Sequence, residues 1–347
     1  MKRLVLGGIC ALLCAFALSR APIHALENDG SFNLVTSPLP INLAGKPGTT
    51  LTTDIRIKNG GTVTEQLKTS LMKFKAYGEE GKPGLADRES GDDYFDWVSF
   101  TPNKFEARPN EWINVKMTIK LPADAAFGYY YAAVFSRASE PAKSNDKQNI
   151  IVGSTAVLVL VEAQVPNAKR IASIKSFTAN KKSYEFLPAK FTIKIKNSGN
   201  IHLIPTGNIF ISRGGKNVAT LSVNRASGNI LPDSNRIFTA SWNDGFPVYV
   251  AQEAGGKAVL DTNGKQVESL RWDISKVSKL KFGHYTAKLL MVYDDGTRDV
   301  PLEATLSFWV LPWRVIFIGI AIPAIPSIVV YLFTRWRFKK RMAKMKT

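Results

Sequence analysis

Residues 51–61 read Leu51-Thr52-Thr53-Asp54-Ile55-Arg56-Ile57-Lys58-Asn59-Gly60-Gly61, and the end of that stretch returns as Ile193-Lys194-Ile195-Lys196-Asn197-Ser198-Gly199. Side chains alternate across a strand, so Leu51, Thr53, Ile55 and Ile57 share one face while Thr52, Asp54, Arg56 and Lys58 share the other. One face is core and the other is wet. Ile113, Val115, Met117, Ile119 and Leu121 alternate in the same way with Trp112, Asn114, Lys116, Thr118 and Lys120. The near-continuous apolar run Thr155 to Val161 predicts a strand buried on both sides. Asp295-Gly296, Gly214-Gly215 and Asn263-Gly264 supply tight turns. No long segment of helical period interrupts the chain between Asn28 and Val310, which is an all-β signature.

A second echo joins Gly128-x-Tyr130-x-Ala132-x-Val134 to Gly283-x-Tyr285-x-Ala287-x-Leu289. Together the echoes predict two tandem immunoglobulin-like β-sandwiches, over 28–165 and 166–312, joined at Val165 to Arg170. In each copy the tyrosine of Gly-x-Tyr is expected to act like a tyrosine corner.

The two ends of the chain set its address. Met1-Lys2-Arg3, an uncharged run Leu4 to Leu18 and the exit Pro22-Ile23-His24-Ala25 make residues 1–25 a signal peptide, with cleavage expected after Ala25 and Ala21 as the second choice. Residues 315–334 carry no charge and, at about 1.5 Å per helical residue, are long enough for one transmembrane helix, with Pro323 and Pro326 expected to kink it. Trp313, Tyr331 and Trp336 suit the two interfaces. The tail 335–347 holds seven Lys or Arg and no acid, which places it in the cytoplasm and makes the chain a single-pass membrane protein with an extracellular ectodomain.

Composition removes several chemistries. The 347 residues carry 46 Lys and Arg against 28 Asp and Glu, a formal charge of +18. Seven of those charges belong to the tail and three to the signal peptide, leaving +8 for the exported part, so the basic balance is mostly topology and does not imply nucleic acid. Cys10 and Cys14 both lie in the signal peptide, and without them disulfides, thiolate metal sites and Cys nucleophiles are excluded. After cleavage only His202 and His284 remain, both in the second predicted domain, with no G-x-S-x-G and no H-E-x-x-H. No catalytic residue, cofactor or metal site is assigned.

Two features are singled out for binding. Trp112 lies on the polar side of its strand, and Tyr129 and Tyr131 lie on the face opposite Tyr130, so these three rings are the expected ligand contacts, stacking on sugar or anchoring a protein. Between Glu79 and Asp96 seven acids face only Lys82 and Arg88; a solvated acidic loop is the plain reading, and a calcium loop or a glycosidase carboxylate pair the sharper ones.

The layout resembles that of the WxL-interacting proteins of Gram-positive cell surfaces. The resemblance rests on Pro47-Gly48 before a strand, Asn59-Gly60 after it, Trp97 before Phe105, and Leu121-Pro122-Ala123-Asp124 leading to Gly128-Tyr129-Tyr130. It implies peptidoglycan binding by the first domain and partner binding by the second, and it transfers no individual binding residue. Ahead of Pro47 the sequence Ser37-Pro38-Leu39-Pro40-Ile41-Asn42-Leu43 departs from the family pattern. The expected function is non-catalytic adhesion at the cell surface, with a cell-wall polymer (peptidoglycan or anionic glycan) or another surface protein as partner. A structural stalk or subunit of a membrane complex is the alternative.

Overall fold

The computed structural model describes residues 32–139, 144–145, 150–151 and 154–344. The predicted signal peptide, with both cysteines and His24, lies outside the described residues.

The first sandwich contains β1 (Leu34–Ser37), β2 (Ile41–Gly45), β3 (Thr50–Asn59), β4 (Glu65–Tyr77), β5 (Lys82–Ala86), β6 (Val98–Thr101), β7 (Lys104–Ala107), β8 (Trp112–Lys120), β9 (Phe127–Arg137), β10 (Ser144–Asn145), β11 (Ile150–Ile151) and β12 (Ser154–Ala163). One sheet runs β1-β3-β8-β6; the facing sheet runs β2-β12-β9-β4-β5, with β7 also on β4. The alternation read in β3 and β8 holds: Ile55, Ile57, Val115, Met117 and Ile119 are fully buried against Tyr131, Phe135, Val157 and Val161.

The second sandwich contains β13 (Ala172–Ala179), β14 (Ser183–Tyr184), β15 (Ala189–Asn197), β16 (Thr206–Arg213), β17 (Lys216–Val223), β18 (Asn235–Trp242), β19 (Val248–Ala251), β20 (Glu253–Ala254), β21 (Lys257–Ala258), β22 (Glu268–Arg271), β23 (Gly283–Asp294) and β24 (Asp299–Val310). Sheet β13-β15-β18 packs on β14-β24-β23-β16-β17. Phe191, Ile193, Ile195, Ile209, Ile211, Trp242, Tyr285 and Phe308 form its centre. Gly214-Gly215 closes the β16–β17 hairpin and Asp295-Gly296 the β23–β24 hairpin, while Asn263-Gly264 turns between β21 and β22.

The first sequence echo is structural. Asn59 Nδ2 donates to the carbonyls of Val63 (2.7 Å) and Ala107 (2.9 Å), and its Oδ1 accepts from Gly61 N. Asn197 Nδ2 donates to Ile201 O (2.8 Å) and Ile230 O (3.0 Å), and its Oδ1 accepts from Gly199 N. Both amides are buried and replace ladder bonds where the strand ends.

The second echo breaks. Tyr285 points inward, stacked on Phe308 and edge-on to Trp242. Tyr130 points out of its sandwich, and Tyr131 beside it fills the core. The tyrosine-corner expectation therefore fails for Tyr130, whose hydroxyl accepts from His202 N of the other sandwich.

After Val310 the helix α1 (Trp313–Lys344) carries a stretch, Trp313–Arg337, long and apolar enough to cross a membrane. The helix continues through Pro323 and Pro326, with Ser327 Oγ donating to Pro323 O at 2.7 Å. Its start is tied to the second sandwich by Leu311 N to Tyr184 O and by an Arg314–Glu185 ion pair of 3.2 Å.

Candidate functional site: a groove between the sandwiches

β9 and β12 are apolar on both faces, so their sheet has a second surface that cannot be left in water. Met72, Phe74, Leu85, Ala132, Val134 and Leu160 are buried on that outer face, with Tyr130, Ala156 and Leu158 beside them. The second sandwich supplies the cover. Leu231 packs onto the cluster, Tyr130 meets His202 edge-on at 5.7 Å between ring centroids, and Arg170 pairs with Glu162 across the join. Glu79 in the β4–β5 turn accepts from Ile237 N on its backbone carbonyl (2.7 Å), while its carboxylate meets Lys194 Nζ (2.6 Å) and Asn235 Nδ2 (3.1 Å).

The cover is incomplete. A groove of about 420 Å³ remains, with Phe74, Leu85, Leu158 and Leu160 on one wall and Ile230, Leu231 and Arg236 on the other. Its size falls within the ordinary range for ligand sites, and its lining is mostly apolar. β5, which also lines it, is the edge of its sheet.

Arg236 is a charged group in this wall that the fold satisfies only in part. Its Nη1 donates to Asn229 O (2.6 Å) and its Cζ lies 5.4 Å from the Phe238 ring centroid. Its buried Nε and the buried Asn229 Oδ1 have no hydrogen-bond partner, and among the described residues no carboxylate pairs with the guanidinium. Burial lowers its pKa from the usual arginine range, a sign of a cation held without compensation. The guanidinium lies close against Gly228: a Cβ there would sit 2.5 Å from Nη2 and push the Arg236 side chain aside.

The three rings selected from sequence do not converge here. Trp112 is 40% exposed on the outer face of the β3–β8 sheet, with Arg56 Cζ 4.7 Å from its ring centroid. Tyr129 is half-buried against Trp97 (4.8 Å) and Tyr94 (5.5 Å), its hydroxyl accepting from Ala126 N. Tyr131 is fully buried and donates to Tyr94 O at 3.0 Å. The expected exposure of Tyr131 is thus corrected: the face opposite Tyr130 is the core face, and a strand apolar on both sides gives no sign of which side is inward.

Much of the acidic segment is taken up by pairing with nearby cations. Asp92 accepts from Glu89 N (2.9 Å) and Lys73 Nζ (2.9 Å), and these hold its carboxyl below the usual range. Asp96 takes both guanidinium nitrogens of Arg88 at 2.5 and 2.6 Å, and Glu79 belongs to the junction. Among the described residues no three His, Asp or Glu side chains gather as metal ligands. His202 lies buried at the junction and His284 against Trp309 on an outer face.

No protein-family model and no curated protein matches the chain. Among solved structures it is similar to the CsuC–CsuE chaperone–tip adhesion subunit pre-assembly complex of the Csu pili of Acinetobacter baumannii, at 11% identity and TM-score 0.35, covering 78% of this chain and 97% of that one. It is similar to the class 5 fimbriae chaperone CfaA at 15% identity and TM-score 0.34, covering 70% and 100%. These likenesses are loose, and the fold assignment rests on the sheets described above.

Sequence reading missed the groove residues, though one signal was present. The run Thr155 to Val161 announces a strand needing cover on both sides; which residues supply the cover, and that Arg236 stands unpaired, are facts of the packed junction.

Proposed function

We propose that this chain is a membrane-anchored, non-catalytic binding protein of the cell surface that takes an apolar segment of a partner protein into the groove between its sandwiches. The ectodomain faces outward and the basic tail lies in the cytoplasm, in keeping with the resemblance to WxL-interacting proteins. The observation that carries this reading is the apolar groove bordered by a free sheet edge and an uncompensated Arg236. An edge strand offers backbone pairing to an extended segment, the leucines offer side-chain pockets, and the guanidinium favours an acidic group on the partner. A wall polymer suits this surface less well, because Trp112 has Arg56 over its ring and Tyr129 and Tyr131 are packed inward.

A photo-crosslinker replacing Leu158 in the full-length protein, expressed in its cells, should capture one surface protein. Arg236→Glu should abolish the capture, and a crosslinker at Trp112 should not reproduce it. Failure at Leu158, together with sedimentation of the protein on wall sacculi, would overturn the reading.

A further inference from the structure

The second sandwich exposes an ordered apolar ridge at the end from which the membrane helix departs. Between β22 and β23 the chain runs Trp272-Asp273-Ile274-Ser275-Lys276-Val277-Ser278-Lys279-Leu280-Lys281-Phe282. Ile274 is 80% exposed, Val277 56% and Trp272 52%, with Phe282 and Leu280 also open to solvent. Ile274, Val277 and Leu280 recur every third residue along short 3₁₀ turns, the spacing that stacks side chains on one line, with a local break at Lys276.

This ridge is held in place. Phe246 bridges to Leu280 and its ring lies 5.8 Å from that of Trp272, which also meets Phe186 at 6.2 Å. Lys279 pairs with Asp244, and Ser275 Oγ donates to Asp273 at 2.6 Å. The apolar side chains that point away from these contacts have no protein cover.

The register gives their level. Gly283 pairs with Val310, so the residues just before β23 lie beside the residues just after β24. The helix begins at Trp313, its first turn fixed to the sandwich by Arg314 and Glu185. The Phe282 end of the ridge therefore lies beside the segment in which the exposed Trp309, Leu311 and Trp313 lead into the helix. Lys276, Lys279 and Lys281 interleave the apolar residues, and Arg213 reaches Phe282 from the β16–β17 hairpin, its Cζ 6.0 Å from the ring centroid. Apolar and aromatic tips among lysines, continuous with a membrane span, are the composition of a surface that lies in the headgroup region.

We propose that the ridge Trp272 to Phe282 docks into the lipid interface around the helix, in anionic lipid above all, and so fixes the tilt of the ectodomain on the membrane. This holds whichever partner the groove takes.

The test uses the full chain in vesicles of phosphatidylcholine, with and without phosphatidylglycerol. Cys10 and Cys14 are replaced by Ser, and single cysteines are introduced by Ile274→Cys, Val277→Cys or Thr297→Cys for labelling with a fluorophore. Thr297 lies at the far end of the 12-residue β23, about 40 Å away at strand rise. A quencher attached to the lipid at headgroup depth should quench the labels at 274 and 277 severalfold more than the label at 297. Phosphatidylglycerol should raise that quenching, and Lys276→Glu with Lys281→Glu should remove the rise. Equal quenching at 277 and 297 in both lipids would overturn the proposal. So would labels left water-exposed in vesicles but shielded in native membranes, which would assign the ridge to a protein. Ile274 and Val277 are exposed, whereas Lys276 pairs with Asp273, Lys281 lies over Trp242 and Thr297 bonds Asp295, so melting curves of every variant must match the parent before quenching is compared.

Discussion

β9 and β23 carry the same Gly-x-Tyr phrase at or beside their first residue and face opposite ways. In β23 one face is Tyr285, Ala287, Leu289 and Met291, all buried, and the other includes the exposed His284 and Lys288. In β9 both faces are apolar: Tyr131, Ala133 and Phe135 enter the core while Tyr130, Ala132 and Val134 lie beneath the second sandwich. An amphipathic strand fixes its own orientation. A doubly apolar one leaves orientation to its neighbours and demands a second cover, and here that demand creates both the junction and its groove. Tyr131→Ala should therefore cost about 4 kcal/mol, as should Tyr285→Ala, because each empties a closed core. Tyr130→Ala, at the junction, should cost about half as much. Urea midpoints of the full-length protein measure all three, and equal losses at Tyr130 and Tyr131 would break the distinction between core and cover.

His202 sharpens the comparison through pH. It is buried under Tyr130 with Nδ1 unpartnered, and burial, aided by the positive charge of Arg170, pushes its pKa down from 6.5 to about 4. Above pH 6.5 the imidazole is neutral folded or unfolded, and its contribution is complete. Between pH 6.5 and about 4 the unfolded chain binds a proton that the folded chain refuses, so stability falls as pH falls. Below about 4 both forms are protonated and the loss stops. The total is about 3 kcal/mol. His202→Gln should flatten this slope, and a stability curve unchanged by the substitution would remove the junction's pH dependence from His202.

The buried asparagines test where the two sandwiches are alike. Asn59→Ala and Asn197→Ala each strand two carbonyls and one N–H, and each should cost about 2 kcal/mol. Unequal costs would show that the shared geometry carries different weight in the two sandwiches. That echo was legible because a strand-ending Asn leaves its mark in local sequence, as do the alternating faces of β3 and β8. The orientation of β9 was not legible, since 127–135 has no wet face to read. Arg236 was invisible for another reason: sequence records that a cation is present, and only packing reveals that no acid reaches it. The Glu79–Asp96 segment shows the same limit, its charge plain in sequence and its pairings with Lys73, Arg88 and Lys194 set by β4, the loop after β5 and β15.

The smallest expected effect concerns what holds the junction shut. Glu79 bonds to the second sandwich through its carbonyl to Ile237 N and through its carboxylate to Lys194 and Asn235. The Lys194 and Glu79 side chains are 32% and 34% exposed, so water screens their attraction. Glu79→Gln keeps the carbonyl bond and an acceptor for Asn235 and removes only the charge. The loss should stay below about 1 kcal/mol and vanish in high salt. Unfolding curves at low and high salt decide it. If the apolar cover is what closes the junction, Leu231→Ser must cost more than Glu79→Gln at every ionic strength, and the reverse order would make the junction electrostatic and the doubly apolar face of β9 a bystander.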